Sequence, residues 1–169
     1  FGPVRTAIVW FRRDLRIHDH PALAAAVHEF ERVVPVFVLD PLLISGRYQS
    51  DLRTGFMAAC LLDLDRSFRK LGSGLTLLEG SPEQQLTLLA GNLEAEAVFW
   101  TSDVSPYARK RDQRVTDALA ALGVRARPHA GNYVTEIGRL KTGSGTPYRV
   151  FSPFHQAWLD APRREIHPA

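Results

Sequence analysis

Three apolar runs in this chain end in charged residues, and those endings carry its candidate chemistry. Ala7-Ile8-Val9-Trp10-Phe11 leads into Arg12-Arg13-Asp14-Leu15-Arg16. Val33 to Leu39 leads into Asp40-Pro41, and Ala97-Val98-Phe99-Trp100 leads into Thr101-Ser102-Asp103. Arg53 follows Asp40 closely enough to face it. Guanidinium and carboxylate groups ringing an aromatic floor of Trp10, Phe37 and Phe99 suit a flat heterocycle with a polar edge. Arg12, Asp14, Arg16 and Asp40 are equally suited to pairing with one another and stapling loops.

Bond-making chemistry finds no support. Arg12 to Arg16 occupy the place after the first run where a GxGxxG or GxxxxGK[ST] phosphate loop would sit. Gly143 and Gly145 fall in a late segment with no strand before them. His18, His20, His28, His129, His155 and His167 lack metal-ligand spacing, and Cys60 alone makes no zinc site. No Ser/His/Asp set or GxSxG elbow is present. The run Arg109-Lys110-Arg111-Asp112-Gln113-Arg114 reads as a solvated helix face. These residues make a binder, with no catalytic or metal-ligating residue nominated.

The elements that must position them follow from periodicity. Strands are expected at 4–11, 33–39, 75–78, 97–100 and 124–127, with Pro35 giving the second an irregular start. Asp19 or His20 caps a short helix with Pro21 in its first turn. A loop from Leu42 to Gln49, containing Gly46, precedes a long helix from Ser50 or Asp51 to Leu71. Its sheet-facing side is expected to carry Leu52, Phe56, Ala59, Cys60, Leu64, Phe68 and Leu71. Ser81-Pro82-Glu83-Gln84 reads as a capping box, and Ser105-Pro106 starts a helix closed by Gly123. Strand and helix thus alternate about five times, which implies an α/β fold: an open five-stranded parallel sheet with helices on both faces. In such a sheet the crevice lies outside the carboxyl ends of the strands, where Phe11, Arg12, Asp40 and Asp103 fall.

At 169 residues, 45% hydrophobic and 23% charged, the chain suits one soluble domain with a real core. Its net charge of +3 permits nucleic-acid contact without requiring it. No apolar run approaches a membrane span, and one cysteine without a partner suits a reducing cytoplasm. The start, Phe-Gly-Pro-Val, has neither Met nor a signal pattern and reads as trimmed or tagged. Beyond Pro128 the pattern changes: 131–149 reads as extended loop. Tyr148, Val150, Phe151, Phe154 and Trp158 then crowd a segment with little chain to cover them, which suggests a partner domain. The alternative is that they fold back over the sheet edge.

The stretches VWFRRDLRIHDHPALAAAV, VFVLDP, TSDVSPYARKRD and GTPYRVFSPFHQAW resemble, in order and over nearly the whole chain, the N-terminal α/β domain of the DNA photolyase and cryptochrome family. The resemblance implies a Rossmann-like fold over 1–130, with 131–169 an interdomain loop and the start of a connection to a helical FAD-binding domain absent from this chain. It implies a role in light-driven repair of ultraviolet pyrimidine dimers in DNA, with damaged DNA and FAD held by that helical domain. This domain would bind an antenna pigment that passes excitation to FAD, and alone would be inactive. His20 departs from the family's usual Asn. Folate-binding members carry an Asn-Glu pair where this chain has Tyr107 and Ala108, which counts against methenyl-tetrahydrofolate. Members using 8-hydroxy-5-deazaflavin or FMN hold it near positions matching Asp40, Arg53 and Asp103. The expected pigment-binding residues are therefore Phe11, Arg12, Phe37, Asp40, Arg53 and Asp103. A cryptochrome's photosensory domain and a free-standing nucleotide-binding module are the rival expectations.

Overall fold

The computed structural model describes residues 4–45 and 49–168. In chain order the elements are β1 (Thr6–Phe11), α1 (Pro21–Glu29), β2 (Arg32–Leu39), α2 (Pro41–Ile44), α3 (Asp51–Lys70), β3 (Thr76–Glu79), α4 (Pro82–Asn92), β4 (Ala97–Thr101), α5 (Pro106–Ala121), β5 (Arg125–His129) and α6 (Phe151–Asp160). The strands form one sheet of order β3-β2-β1-β4-β5, every pair parallel. β1 is central and all six of its residues are buried, as an apolar run covered on both faces must be. Ala7, Val9 and Phe11 pack beneath Ala22 and Ala26 of α1 and Leu61, Leu64 and Phe68 of α3. Ile8 and Trp10 face the opposite layer, against Leu86 and Ala90 of α4 and Val115 and Leu119 of α5. Each fully buried Phe or Leu in these layers contributes about 1.5–3 kcal/mol. Because the chain builds outward from β1 first toward β3 and then toward β5, a crevice opens at the carboxyl ends of the central strands.

His20 is the residue that caps α1: its Nδ1 accepts from Leu23 N–H at 3.0 Å. An accepting Nδ1 carries no proton, so Nε2 bears it, 2.8 Å from Asp14 Oδ2. Burial pushes the Asp14 carboxyl up, but bonds from His20, Thr101 and the Arg12 backbone outweigh it and hold the pKa at about 2. Arg164 forks the Asp19 carboxylate, and Asp19 N–H donates to His167 C=O at 2.8 Å, tying the residues after α6 to the loop before α1.

Several expectations are corrected. On α3 the packed residues are Met57, Leu61, Leu64 and Phe68, whereas Leu52, Phe56, Ala59 and Leu71 are exposed. The twenty residues of α3 span about 30 Å, whereas the four of β3 cover about 13 Å. Leu61, Leu64 and Phe68 share one stripe that joins the layer of Val9, Phe11 and Phe37, and that stripe is the covered one. The capping box does not form: Ser81 precedes α4 but its hydroxyl makes no cap bond, and the Gln84 N–H donates to the Ser81 carbonyl at 3.1 Å instead. Pro35 lies inside a regular β2, where it faces Val9 of β1. β3 joins only from Val36, so the missing N–H is accommodated. The expected loop from Leu42 contains the one-turn α2, and Gly46 lies outside the described residues. Residues 131–149 carry neither helix nor strand, but the aromatic segment after them is helical: Phe154 and Trp158 of α6 line a cavity with residues of 132–140, and Val150, Phe151 and Phe154 remain exposed.

Candidate functional site

Just past the ends of β1, β2 and β4 the chain places Arg12, Asp40 and Asp103, and the parallel sheet brings them to a common opening. Phe11, Arg12, Phe37, Asp40, Arg53 and Asp103 all line a single cleft of about 430 Å³. Met57, Leu43, Tyr107 and Arg111 complete its walls, and a recess of about 260 Å³ adjoins it beneath α2 and α3. These volumes suit a small heterocyclic ligand. Four guanidinium groups (Arg12, Arg13, Arg53, Arg111) and two carboxylates (Asp40, Asp103) border the opening, so its field favours an anionic or electron-rich ligand.

Both carboxylates are held by their own loops. Asp40 caps α2, its Oδ1 accepting from Leu42 N–H at 3.0 Å, while its Oδ2 accepts from the Tyr107 hydroxyl of α5. Burial, followed by the bond to Asp40, pushes the Tyr107 phenol up to about 12. Asp103 Oδ1 accepts from Ser105 N–H at 3.1 Å and Oδ2 from Arg13 at 3.2 Å. Burial acts to raise the Asp103 carboxyl, but these bonds prevail and hold it below its ordinary range.

The floor is a cation–aromatic stack. The Arg12 and Arg111 guanidiniums lie 4.7 and 4.9 Å from the Trp10 ring centre. Trp10 in turn meets Trp100 edge-on at 5.9 Å. Asp112 Oδ1 accepts from both arginines, and Arg12 also donates to Thr101 C=O. Burial lowers the Arg12 pKa, partly opposed by Asp112.

Three readings from sequence change here. Arg12 lines the cleft, but its guanidinium is committed to Asp112, Thr101 and Trp10, so it frames the site. Phe99 is not part of the floor; it packs on the other layer, against Phe30 and stacked on His129. Arg111 is not on a solvated face: with Ala108, Val115 and Leu119 it forms the buried stripe of α5. That spacing was the available signal for Arg111. Tyr107 had none beyond its place in the first turn of α5, since only the fold brings Asp40 opposite it. Among the described residues, no His/Cys/Asp/Glu group could hold a metal ion.

Comparison with known proteins identifies the lineage. The family model described as DNA photolyase matches residues 7–169. This chain belongs to the DNA photolyase family. It is 36% identical over 156 residues to the deoxyribodipyrimidine photo-lyase of Synechococcus sp., covering 92% of this chain and 32% of that protein. It is 35% identical over 157 residues to cryptochrome DASH of Gloeobacter violaceus, covering 90% and 31%. Among solved structures, an archaeal photolyase from Sulfolobus tokodaii, described with two FAD molecules and the implication of a novel light-harvesting cofactor, superimposes with a TM-score of 0.87 at 29% identity, covering 96% of this chain and 36% of that one. The photolyase-family chain thus spans about a third of the length of such relatives and corresponds to their N-terminal domain.

Proposed function

We propose that this chain is the antenna-pigment domain of a DNA photolyase, and that the cleft between β1, β2 and β4 holds a flavin-class chromophore, 8-hydroxy-5-deazaflavin or FMN. The observation that carries this reading is the convergence of Phe37, Asp40, Arg53 and Asp103, from two strand ends and a helix, on one aromatic-floored cleft rich in arginine. When bound, the pigment would absorb light and pass its excitation to FAD in a helical partner domain that engages pyrimidine dimers in DNA. Phe37, Phe11 and Met57 would wall its ring. Arg53 and Arg13 would face its anionic or carbonyl edge, with Arg111 held beneath by Asp112. A dry floor of Trp10 and Phe11, 2% and 0% exposed, keeps water from one side of the ring. In this reading residues 1–130 form the antenna domain and 131–169 lead toward the helical one. The chain works in the cytoplasm; no described helix is long and apolar enough to cross a membrane.

The two FAD molecules and light-harvesting cofactor named for the Sulfolobus tokodaii photolyase support a flavin in the antenna role. A photosensory role is the second reading, favoured by near-equal identity to a cryptochrome DASH and to a photo-lyase. Titration of the chain with deazaflavin, FMN and methenyl-tetrahydrofolate, followed by pigment fluorescence, tests the pigment assignment. Preferential folate binding would overturn it. Dimer repair by this chain alone, with reduced FAD and light, would overturn the antenna role.

A further inference from the structure

We propose that β3 is a self-association edge: two copies of this chain pair their β3 strands antiparallel about a two-fold axis at Leu77, joining two sheets into one. The two edges of the sheet differ in a way that points to this. On β5, Arg125 N–H donates to Glu96 C=O and His129 C=O accepts from Ser102 N–H, so the backbone groups of Ala126 and Pro128 turn outward. Pro128 has no N–H to offer, which blunts that edge. On β3, Gly80 N–H donates to Leu39 C=O, so Thr76 and Leu78 bond toward β2 and the N–H and C=O groups of Leu77 and Glu79 turn outward. β3 has no proline, and among the described residues no strand but β2 pairs with it.

The side chains beside this edge suit an interface. Leu77 stands opposite Phe37 in the register, on the sheet face that α3 covers, yet it is 52% exposed. With Leu61, Leu62 and Leu75 it lines an open apolar groove of about 610 Å³ that also holds Asp65 and Arg69, and Leu62 is 59% exposed. None of these six residues lines the pigment cleft or its recess. Charge selects a second copy as the occupant. With Leu77 on the axis, Glu79 of one copy lies opposite Leu75 of the other. Leu75 N–H is held by Asp65 at 2.9 Å, and Asp65 holds Arg69 at 2.6 Å. The exposed Glu79, on the same face as Leu77, therefore meets the exposed Arg69 of the second copy, and symmetry makes the pair twice. Leu77 meets its own counterpart over the merged grooves.

Sedimentation velocity on the chain tests this. A strand of four residues makes a contact below the about 1,200 Å² of a standard interface, so the dimer should be weak, forming between about 10 μM and about 1 mM. A monomer throughout that range would leave the groove to a different partner and overturn the proposal. Glu79→Arg and Arg69→Glu each set like charges together across the axis, so each alone should dimerise more weakly by about ten-fold or more. Mixed in equal amounts, the two variants regain both opposite-charge pairs and should form heterodimers in the wild-type range. Leu77→Lys, at a position already half exposed, should abolish the dimer with wild-type circular dichroism. Dimers that persist in Leu77→Lys, or single variants that stay monomeric when mixed, would overturn the pairing.

Discussion

Asp112→Ala removes the single carboxylate shared by two buried arginines. The side chains of Arg12 and Arg111 are only 7% and 8% exposed, and Asp112 only 16%. Without it, two guanidiniums stand within 5 Å of the same Trp10 ring centre with mutual repulsion and no shared carboxylate between them. Breaking a buried pair from one side costs about 3–5 kcal/mol. Arg12 keeps Thr101 C=O and water can reach the vacated position, which is 16% exposed, so the lower end applies, about 3 kcal/mol. At about 2–4 °C per kcal/mol for a chain of this size, the midpoint should fall by about 6–12 °C. Urea denaturation followed by circular dichroism measures the loss, with an unchanged denaturant slope if only the native state is affected. Asp112→Asn, which keeps an acceptor oxygen and loses the charge, should lie between wild type and alanine. A loss under about 1 kcal/mol for Asp112→Ala, as for an exposed pair, would refute the description of this stack as a buried charge cluster.

Asp14 should shape the acid limb of the stability curve. Its folded pKa of about 2 lies below the unfolded value of about 3.9. Its contribution is therefore complete above the unfolded value and disappears as pH falls through the folded one. Asp14→Asn should lower stability at neutral pH and flatten the acid limb; an unchanged acid limb by urea midpoint would contradict the His20–Asp14 contact. Tyr107 carries the opposite sign, with its proton held to about 12, so its contribution is present below the unfolded value of about 10 and is lost as pH rises through the folded one. Tyrosinate absorbance should show a late-titrating phase that is absent from Tyr107→Phe. On α3, Leu61→Ala should cost about 2–5 kcal/mol, whereas Phe56→Gln should stay within about 0.5 kcal/mol; equal losses by urea denaturation would restore the sequence-derived face.

The strands were legible because a parallel sheet covered on both faces needs unbroken apolar runs, and Ala7 to Phe11 and Ala97 to Trp100 are such runs. Their endings were legible for a related reason: residues just past a parallel strand have one place to go, so Arg12, Asp40 and Asp103 converge. The face of α3 was not legible, because its apolar residues populate two stripes and only the packing against the central strands decides which is covered. Arg111 and Tyr107 were missed for complementary reasons. A charged residue on a buried stripe looks like a solvated one unless its partner, Asp112, is known to turn inward with it. A tyrosine paired with Asp40 across 67 positions leaves no local trace. The Ser81 box failed because the Gln84 N–H that its hydroxyl would accept from donates to the Ser81 carbonyl instead.

The central claim is that a flavin-class pigment occupies the cleft lined by Phe37, Asp40, Arg53 and Met57. Titration of 8-hydroxy-5-deazaflavin or FMN against the chain and against Met57→Trp, whose larger side chain fills the cleft, tests it most directly. The account predicts saturable one-site binding, read as a change in pigment fluorescence, that is lost in Met57→Trp while folding is retained. Saturable binding of equal strength to both proteins would place the pigment elsewhere and contradict it.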